Sequence, residues 1–121
     1  MKNIMIVDDS PILRASIRTV LERAGYTVCG EAANADETFA LYEKEKPGLV
    51  LLDILLPGIS GLEVLKRLKE NNPATKILIV TAVNQDALNT QAKQLGVEGI
   101  LYKPFEPSEL TQAIKSIFSP D

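Results

Sequence analysis

Short apolar runs alternate along the chain with segments in which apolar residues recur at helical spacing. The runs predict five strands, at residues 3–7, 26–30, 49–52, 76–80 and 99–102. The intervening segments predict five helices, at residues 11–24, 34–46, 60–71, 84–95 and 107–118. Residues 49–52 read Leu-Val-Leu-Leu, and a continuous apolar run is typical of a strand covered on both faces. The βα alternation therefore predicts a single α/β domain, with a parallel sheet between two layers of helices.

Composition narrows the function classes. The 121 residues suit one compact domain, and 45% of them are hydrophobic while 24% are charged. A net charge of −3 lacks the basic excess of a nucleic-acid binder, so we expect no direct nucleic-acid contact. No apolar run approaches the roughly 20 residues that cross a bilayer, and the chain does not open with a signal-peptide pattern. We therefore expect a cytoplasmic protein without membrane insertion.

The chain contains no histidine and a single cysteine, Cys29. The lack of histidine excludes Ser-His-Asp and Cys-His nucleophile pairs, an imidazole general base and a His-ligated zinc site. One cysteine cannot form an internal disulfide, so an oxidising compartment is not implied. Any chemistry must therefore use carboxylates, hydroxyls and amines.

Polar side chains stand where four of the five predicted strands end. Asp8 and Asp9 follow the first strand, Asp53 the third, Thr81 the fourth and Lys103 the fifth. Taken singly, each has a structural explanation: a helix N-cap, a strand threonine or a solvated lysine. Together they would meet at one sheet edge, where two carboxylates about 4 Å apart repel by roughly 4 kcal/mol at an effective dielectric near 20. A lysine and a hard cation such as Mg²⁺ would relieve that repulsion, which predicts a magnesium site with room for a phosphoryl group.

These residues, in this order, resemble the CheY-like receiver domains of two-component response regulators. The motifs that carry the resemblance are Asp8-Asp9, Asp53 with Pro57-Gly58 and Gly61, Thr81-Ala82, and Lys103-Pro104-Phe105. The resemblance covers almost the whole chain. It implies a flavodoxin-like (βα)5 doubly wound parallel sheet with strand order 2-1-3-4-5. It also implies a receiver domain at residues 1–118, with residues 119–121 as a tail or a truncated linker.

The resemblance assigns the metal ligands. Asp9 and Asp53 would bind Mg²⁺ directly, together with the backbone carbonyl of Leu55, and Asp8 would act through a water molecule. Because these donors are all oxygens, they suit a hard divalent cation.

The resemblance also assigns the phosphoryl chemistry. Asp53 would accept a phosphoryl group from a sensor histidine kinase, a phosphotransfer protein or a small acyl phosphate. Lys103 would pair with the phosphoryl oxygens, and the Thr81 hydroxyl would donate to one of them. The change would then bias a face formed by helix 4, strand 5 and helix 5 toward a downstream effector protein or domain, which lies outside these 121 residues.

The chain departs from the family pattern at several positions. Family members usually carry an aromatic residue three positions before the lysine, and its side chain changes rotamer as part of the switch. Here that position is Ile100, and Tyr102 stands one residue before Lys103 instead. Tyr102 could substitute for the aromatic or pack at a helix–sheet seam. Leu55 and Val83 occupy the positions that tune hydrolysis, and both are apolar, so we expect slow autodephosphorylation.

Two alternative functions remain open at this point. One is an interaction module that works without phosphorylation. The other is a magnesium-dependent phosphohydrolase, but such enzymes place a second Asp two residues after the nucleophile, and here that residue is Leu55. We therefore expect no enzyme in the ordinary sense, only a protein that catalyses its own phosphorylation and dephosphorylation.

Overall fold

The computed structural model describes residues 2–118, and the predicted tail at residues 119–121 lies outside them. Five strands alternate with five helices along the chain. The strands are β1 (Asn3–Val7), β2 (Thr27–Ala32), β3 (Leu49–Leu52), β4 (Ile77–Thr81) and β5 (Gly99–Tyr102). The helices are α1 (Pro11–Arg23), α2 (Ala35–Glu45), α3 (Gly61–Asn71), α4 (Asp86–Gln94) and α5 (Pro107–Phe118). None of the helices within residues 2–118 is long and apolar enough to span a membrane.

The strands form one parallel sheet in the order β2-β1-β3-β4-β5. This confirms the predicted fold class and strand order. The register pairs the last residue of β1, Val7, with Ala32 of β2 and with Leu52 of β3. The carboxyl ends of the three strands are thus level, so the residues that follow them meet at one edge of the sheet.

Alternate residues of the strands pack on opposite faces of the sheet. In β3, Val50 and Leu52 join a core that includes buried residues of α2, α3 and α4. Leu49 and Leu51 join a second core with buried residues of α1 and α5. All four residues are at most 2% exposed, because helices cover both faces. The continuous apolar run therefore marks a strand buried on both sides, as predicted.

Side-chain caps begin three of the helices. Ser10, Asn34 and Ser60 each accept a hydrogen bond from a backbone N–H of the first helical turn, at 3.2, 2.9 and 3.1 Å. Helix α4 differs, because its N-cap residue, Gln85, makes no such bond, and Ala92 is its one buried residue. It is consequently the helix with the fewest buried residues.

Two boundaries differ from the predictions by about two residues. Strand β2 extends to Ala32 rather than to residue 30, because Glu31 and Ala32 both pair with β1 although Glu31 interrupts the apolar pattern. Helix α4 begins at Asp86 rather than at residue 84.

Candidate functional site

Backbone hydrogen bonds fix the residues that follow the strands. The N–H of Asp8 donates to the last carbonyl of β2 at 3.0 Å, and the N–H of Asp53 donates to the last carbonyl of β1 at 3.1 Å. The N–H of Lys103 donates to the carbonyl of Thr81 at 2.8 Å. Each residue is thus placed by the strand next to its own, so the sheet itself brings the predicted site together.

Three carboxylates form a cluster at this edge. One oxygen from each of Asp8, Asp9 and Asp53 lies within 4.8 Å of the others. Asp8 and Asp53 are 3% and 4% exposed, whereas Asp9 is exposed. The donors are all carboxylate oxygens, which suits Mg²⁺ rather than a softer metal.

Lys103 ties two of these carboxylates together. Its Nζ lies 2.6 Å from Oδ2 of Asp8 and 2.9 Å from Oδ2 of Asp53. Burial favours a lower pKa for the ammonium, but the hydrogen bonds and charges of Asp8 and Asp53 outweigh it, and the pKa of Lys103 is raised. One ammonium against three carboxylates leaves two negative charges unbalanced, which matches the charge of a divalent cation.

The other oxygen of each buried carboxylate accepts a hydrogen bond from the backbone of the loop that follows it. Oδ1 of Asp8 accepts from the N–H of Ser10 at 2.9 Å, and Oδ1 of Asp53 accepts from the N–H of Leu55 at 3.0 Å. Both bonds span two residues and fold the loop back on itself, as in an Asx turn. The side chain of Leu55 is left 57% exposed beside the cluster.

Thr81 ends β4 as a fully buried hydroxyl. Its Oγ1 accepts from the N–H of Val83 at 3.2 Å, and its own proton is not donated to any residue within 2–118. Tyr102 is its register partner on β5, while Ile100 packs against the core shared by α2, α3 and α4. The hydroxyl proton therefore has no acceptor among residues 2–118.

Gly61, the first residue of α3, lies against the backbone that carries Asp53. A Cβ at position 61 would come within 2.3 Å of the carbonyl oxygen of Asp53 and 2.5 Å of Cα of Ile54. The N–H of Gly61 donates to the carbonyl of Ile54 at 2.8 Å. A glycine is required here because the helix begins in direct contact with the loop.

An ion-pair network beside the cluster was not anticipated from the sequence. Glu31 of β2 receives hydrogen bonds from Nε of Arg14 at 3.0 Å and from Nε of Arg18 at 2.7 Å. Burial favours a higher pKa for the Glu31 carboxyl, but the bonds from the two arginines outweigh it, and its pKa is lowered. The signal available in the sequence was the spacing of Arg14 and Arg18, which puts both on one face of α1.

The family model described as the response regulator receiver domain matches residues 4–115. The chain belongs to this family. The match includes Asp8, Asp9, Asp53, Thr81 and Lys103, so the resemblance inferred from the motifs is confirmed over nearly the whole described chain.

Some relatives are matched over nearly their whole length, whereas others, such as the transcriptional regulatory protein PhoB of Pseudomonas aeruginosa, are matched over about half of it, 51%. The chemotaxis protein CheY of Thermotoga maritima is 33% identical over 96% of this chain and 97% of its own. A CheY-like receiver from Methanospirillum hungatei superposes with a TM-score of 0.92 at 32% identity, covering 99% of this chain and 95% of that one. The isolated receiver domain of RcsB from Salmonella enterica, solved with the phosphomimetic BeF3⁻, gives a TM-score of 0.90 at 27% identity, covering 97% and 88%.

Family membership places the receiver domain in two-component signalling. It implies phosphorylation and Mg²⁺ binding at an acidic pocket, and contact with histidine kinases and effectors. The cluster of Asp8, Asp9 and Asp53 is the acidic pocket of this chain.

Proposed function

We propose that this receiver domain accepts a phosphoryl group on Asp53, in a magnesium-dependent reaction, from a phosphohistidine of a sensor kinase or phosphotransfer protein. A small acyl phosphate would serve as an alternative donor. The observation that carries the proposal is the setting of Asp53, a buried carboxylate 2.9 Å from the ammonium of Lys103 and clustered with two further aspartates.

The transfer requires one bond to form and one to break. An oxygen of Asp53 forms a bond to phosphorus while the phosphorus–nitrogen bond of the donor breaks, and its electron pair stays on the imidazole nitrogen. Lys103 already holds an oxygen of Asp53, so it can pair with the phosphoryl group that becomes attached there. Catalysis then consists of positioning and charge neutralisation, for which no histidine of this chain is needed.

The residues predicted to hold Mg²⁺ are Asp9 and Asp53, with the carbonyl of Leu55 and with Asp8 through a water molecule. When bound, Mg²⁺ would neutralise the negative charge of the phosphoryl oxygens and the carboxylates. The exposed position of Asp9 supports this arrangement, because one carboxylate of the cluster faces the side from which an ion arrives.

The phosphorylated site would switch a protein-interaction face. Phosphorylation adds negative charge and strong hydrogen-bond acceptors at Asp53, and the Thr81 hydroxyl proton, free within residues 2–118, can be donated to one of them. Thr81 is followed by the loop to α4, the helix with the fewest buried residues. We therefore place effector docking on α4, β5 and α5, because a movement of Thr81 would act directly on the loop to α4 and on its register partner in β5.

The domain would turn over no separate substrate. Magnesium-dependent phosphohydrolases with an aspartate nucleophile carry their general acid two residues after it, and here that residue is Leu55. The chemistry proposed is thus limited to phosphorylation of Asp53 and its reversal.

Intact-mass measurement after incubation with Mg²⁺ and acetyl phosphate tests the proposal. We expect the mass of one phosphoryl group to be added to the parent, and none to Asp53→Asn or to the parent in EDTA. Hydroxylamine should remove the added group, because it cleaves acyl phosphates and leaves serine or threonine phosphates intact.

Asp36→Asn is the matched control, since it removes an exposed carboxylate from the first turn of α2. It should be phosphorylated like the parent. A parent protein that gains no phosphoryl group would refute the proposal and favour an interaction module that works without phosphorylation.

A further inference from the structure

The guanidinium of Arg14 lies between a carboxylate and a backbone carbonyl. Its Nε donates to Oε1 of Glu31 at 3.0 Å, and its Nη1 donates to the carbonyl oxygen of Asp8. The side chain is 16% exposed, so these bonds are shielded from water. The carbonyl it holds belongs to the peptide group that joins Asp8 to Asp9.

Glu31 fixes the orientation of that guanidinium. Its two oxygens bind different arginines, with Oε1 on Arg14 and Oε2 on Arg18 at 2.7 Å. Because a guanidinium is planar, holding its Nε also sets the direction in which Nη1 points. Strand β2, which contributes no carboxylate to the cluster, thus contributes an anchor for Arg14.

We propose that Arg14 is a positioning residue for magnesium binding, which holds the peptide group between Asp8 and Asp9 while Glu31 holds its guanidinium. The inference rests on the function proposed above. Rotation of this peptide group would turn both carboxylates, and Mg²⁺ tolerates little departure from octahedral geometry. Partners that orient metal ligands typically change metal affinity by about 10–100-fold when they are removed.

Because Arg14 is charged, the direction in which its removal changes the dissociation constant for Mg²⁺ is informative. Arg14 is a cation close to a predicted cation site, so removing its charge alone would reduce repulsion and tighten Mg²⁺ binding. Loss of positioning would instead weaken binding. The direction of the change in the dissociation constant therefore separates the two roles.

Calorimetric titration of Mg²⁺ in about 0.1 M salt, where the Debye length is about 10 Å, measures this constant. We expect Arg14→Met to raise the dissociation constant for Mg²⁺ about tenfold. Its urea midpoint in EDTA should stay near that of the parent, because Glu31 keeps its bond to Arg18. An unchanged or lower dissociation constant would overturn the inference.

Arg18→Met is the matched control. It removes the same charge from the same face of α1 and from the same carboxylate. Arg18 also pairs with the exposed Glu22, but it makes no hydrogen bond or ion pair with Asp8 among residues 2–118. We expect its dissociation constant to stay within about twofold of the parent value. A rise equal to that of Arg14→Met would show a general effect of charge or helix packing and would overturn the inference.

Arg14→Lys keeps the proposal testable if Arg14→Met does not fold. The lysine retains the charge, but a single ammonium cannot span Glu31 and the Asp8 carbonyl as the planar fork does. It should also raise the dissociation constant, and parent-like binding would overturn the inference.

A double-mutant cycle tests the role of Glu31. Glu31→Gln should weaken Mg²⁺ binding in the parent, but change it by less than about twofold in the Arg14→Met background, because Glu31 acts through Arg14. Equal effects in both backgrounds would remove Glu31 from the proposal. If the parent itself binds no Mg²⁺, the proposed function fails and the inference fails with it, whereas a parent that binds and an Arg14→Met that binds equally well overturn the inference alone.

Discussion

Asp9→Asn should stabilise the metal-free protein. Asp9 is exposed and makes no hydrogen bond within residues 2–118, so the substitution removes a charge and little else. Two carboxylates 4.8 Å apart repel by about 0.9 kcal/mol in a water-like dielectric and about 3.5 kcal/mol at an effective dielectric of 20. Asp9 faces two such neighbours, Asp8 and Asp53, while Lys103 offsets part of the repulsion. The exposure of Asp9 favours the lower figure, so we expect a gain of about 1 kcal/mol.

Urea unfolding of the parent and of Asp9→Asn, with EDTA and with Mg²⁺, measures this gain. At ten times its dissociation constant, Mg²⁺ should raise the unfolding free energy of the parent by about 1.4 kcal/mol. Asp9→Asn lacks one carboxylate ligand, so it should gain much less. The advantage of Asp9→Asn in EDTA should therefore be largely lost in Mg²⁺, and the order of stability reverses if Mg²⁺ adds less than about 0.4 kcal/mol to the variant.

Glu43→Gln is the control, because it removes an exposed carboxylate from α2 that has no ion-pair partner in the described part of the chain. We expect its unfolding free energy to stay within about 0.5 kcal/mol of the parent in both conditions. If Asp9→Asn in EDTA is no more stable than the parent, the reasoning about repulsion in the cluster is wrong.

Three further predictions concern other positions. Gly61→Ala should lower the unfolding free energy by about 1–3 kcal/mol and slow phosphorylation, because its Cβ would displace the backbone of Asp53. Gly58→Ala is the control: Gly58 has a positive φ but open space around it, so the substitution should lower the unfolding free energy by about 1 kcal/mol and leave the phosphorylation rate unchanged. Urea curves and intact-mass time courses compare the two. Glu31→Gln should be less stable than the parent at neutral pH. Because its folded pKa is lowered from 4.5, the carboxylate stabilises the protein above that value, and the difference in urea midpoint should disappear as the pH falls through the folded pKa. Leu55→Asn, alone and with Val83→Glu, should speed the release of phosphate from the phosphorylated protein, because polar side chains at these positions can hold the attacking water. Phosphate release no faster than in the parent would contradict this explanation of slow autodephosphorylation.

The sheet could be predicted because its strands are marked by local composition. Residues 49–52 are all buried, and a continuous apolar run records this directly. The end of β2 could not be placed, because Glu31 pairs with β1 through its backbone while its side chain turns to α1. Pairing of backbones leaves no mark on the identity of a side chain.

The site could be predicted in its membership but not in its internal bonds. The order of the residues after the strands indicated that Asp53 and Lys103 would meet, since parallel strands end at one edge. That Lys103 bridges Asp8 and Asp53 depends on distances across the crevice, which no spacing in the sequence records. The contact between Gly61 and the carbonyl of Asp53 likewise depends on how closely α3 approaches the loop.

The weak attachment of α4 has a consequence for the time scales on which the domain moves. Ala92 is the one buried residue of α4, and Gln85 makes no side-chain cap bond, so we expect a low free energy of local opening for this helix. The amides of α4 should exchange with deuterium through local opening, whereas those of the buried strand β3 should exchange only through global unfolding. A signal that repositions α4 would therefore need only a fraction of the global unfolding free energy, and the sheet that holds the aspartates would stay intact throughout.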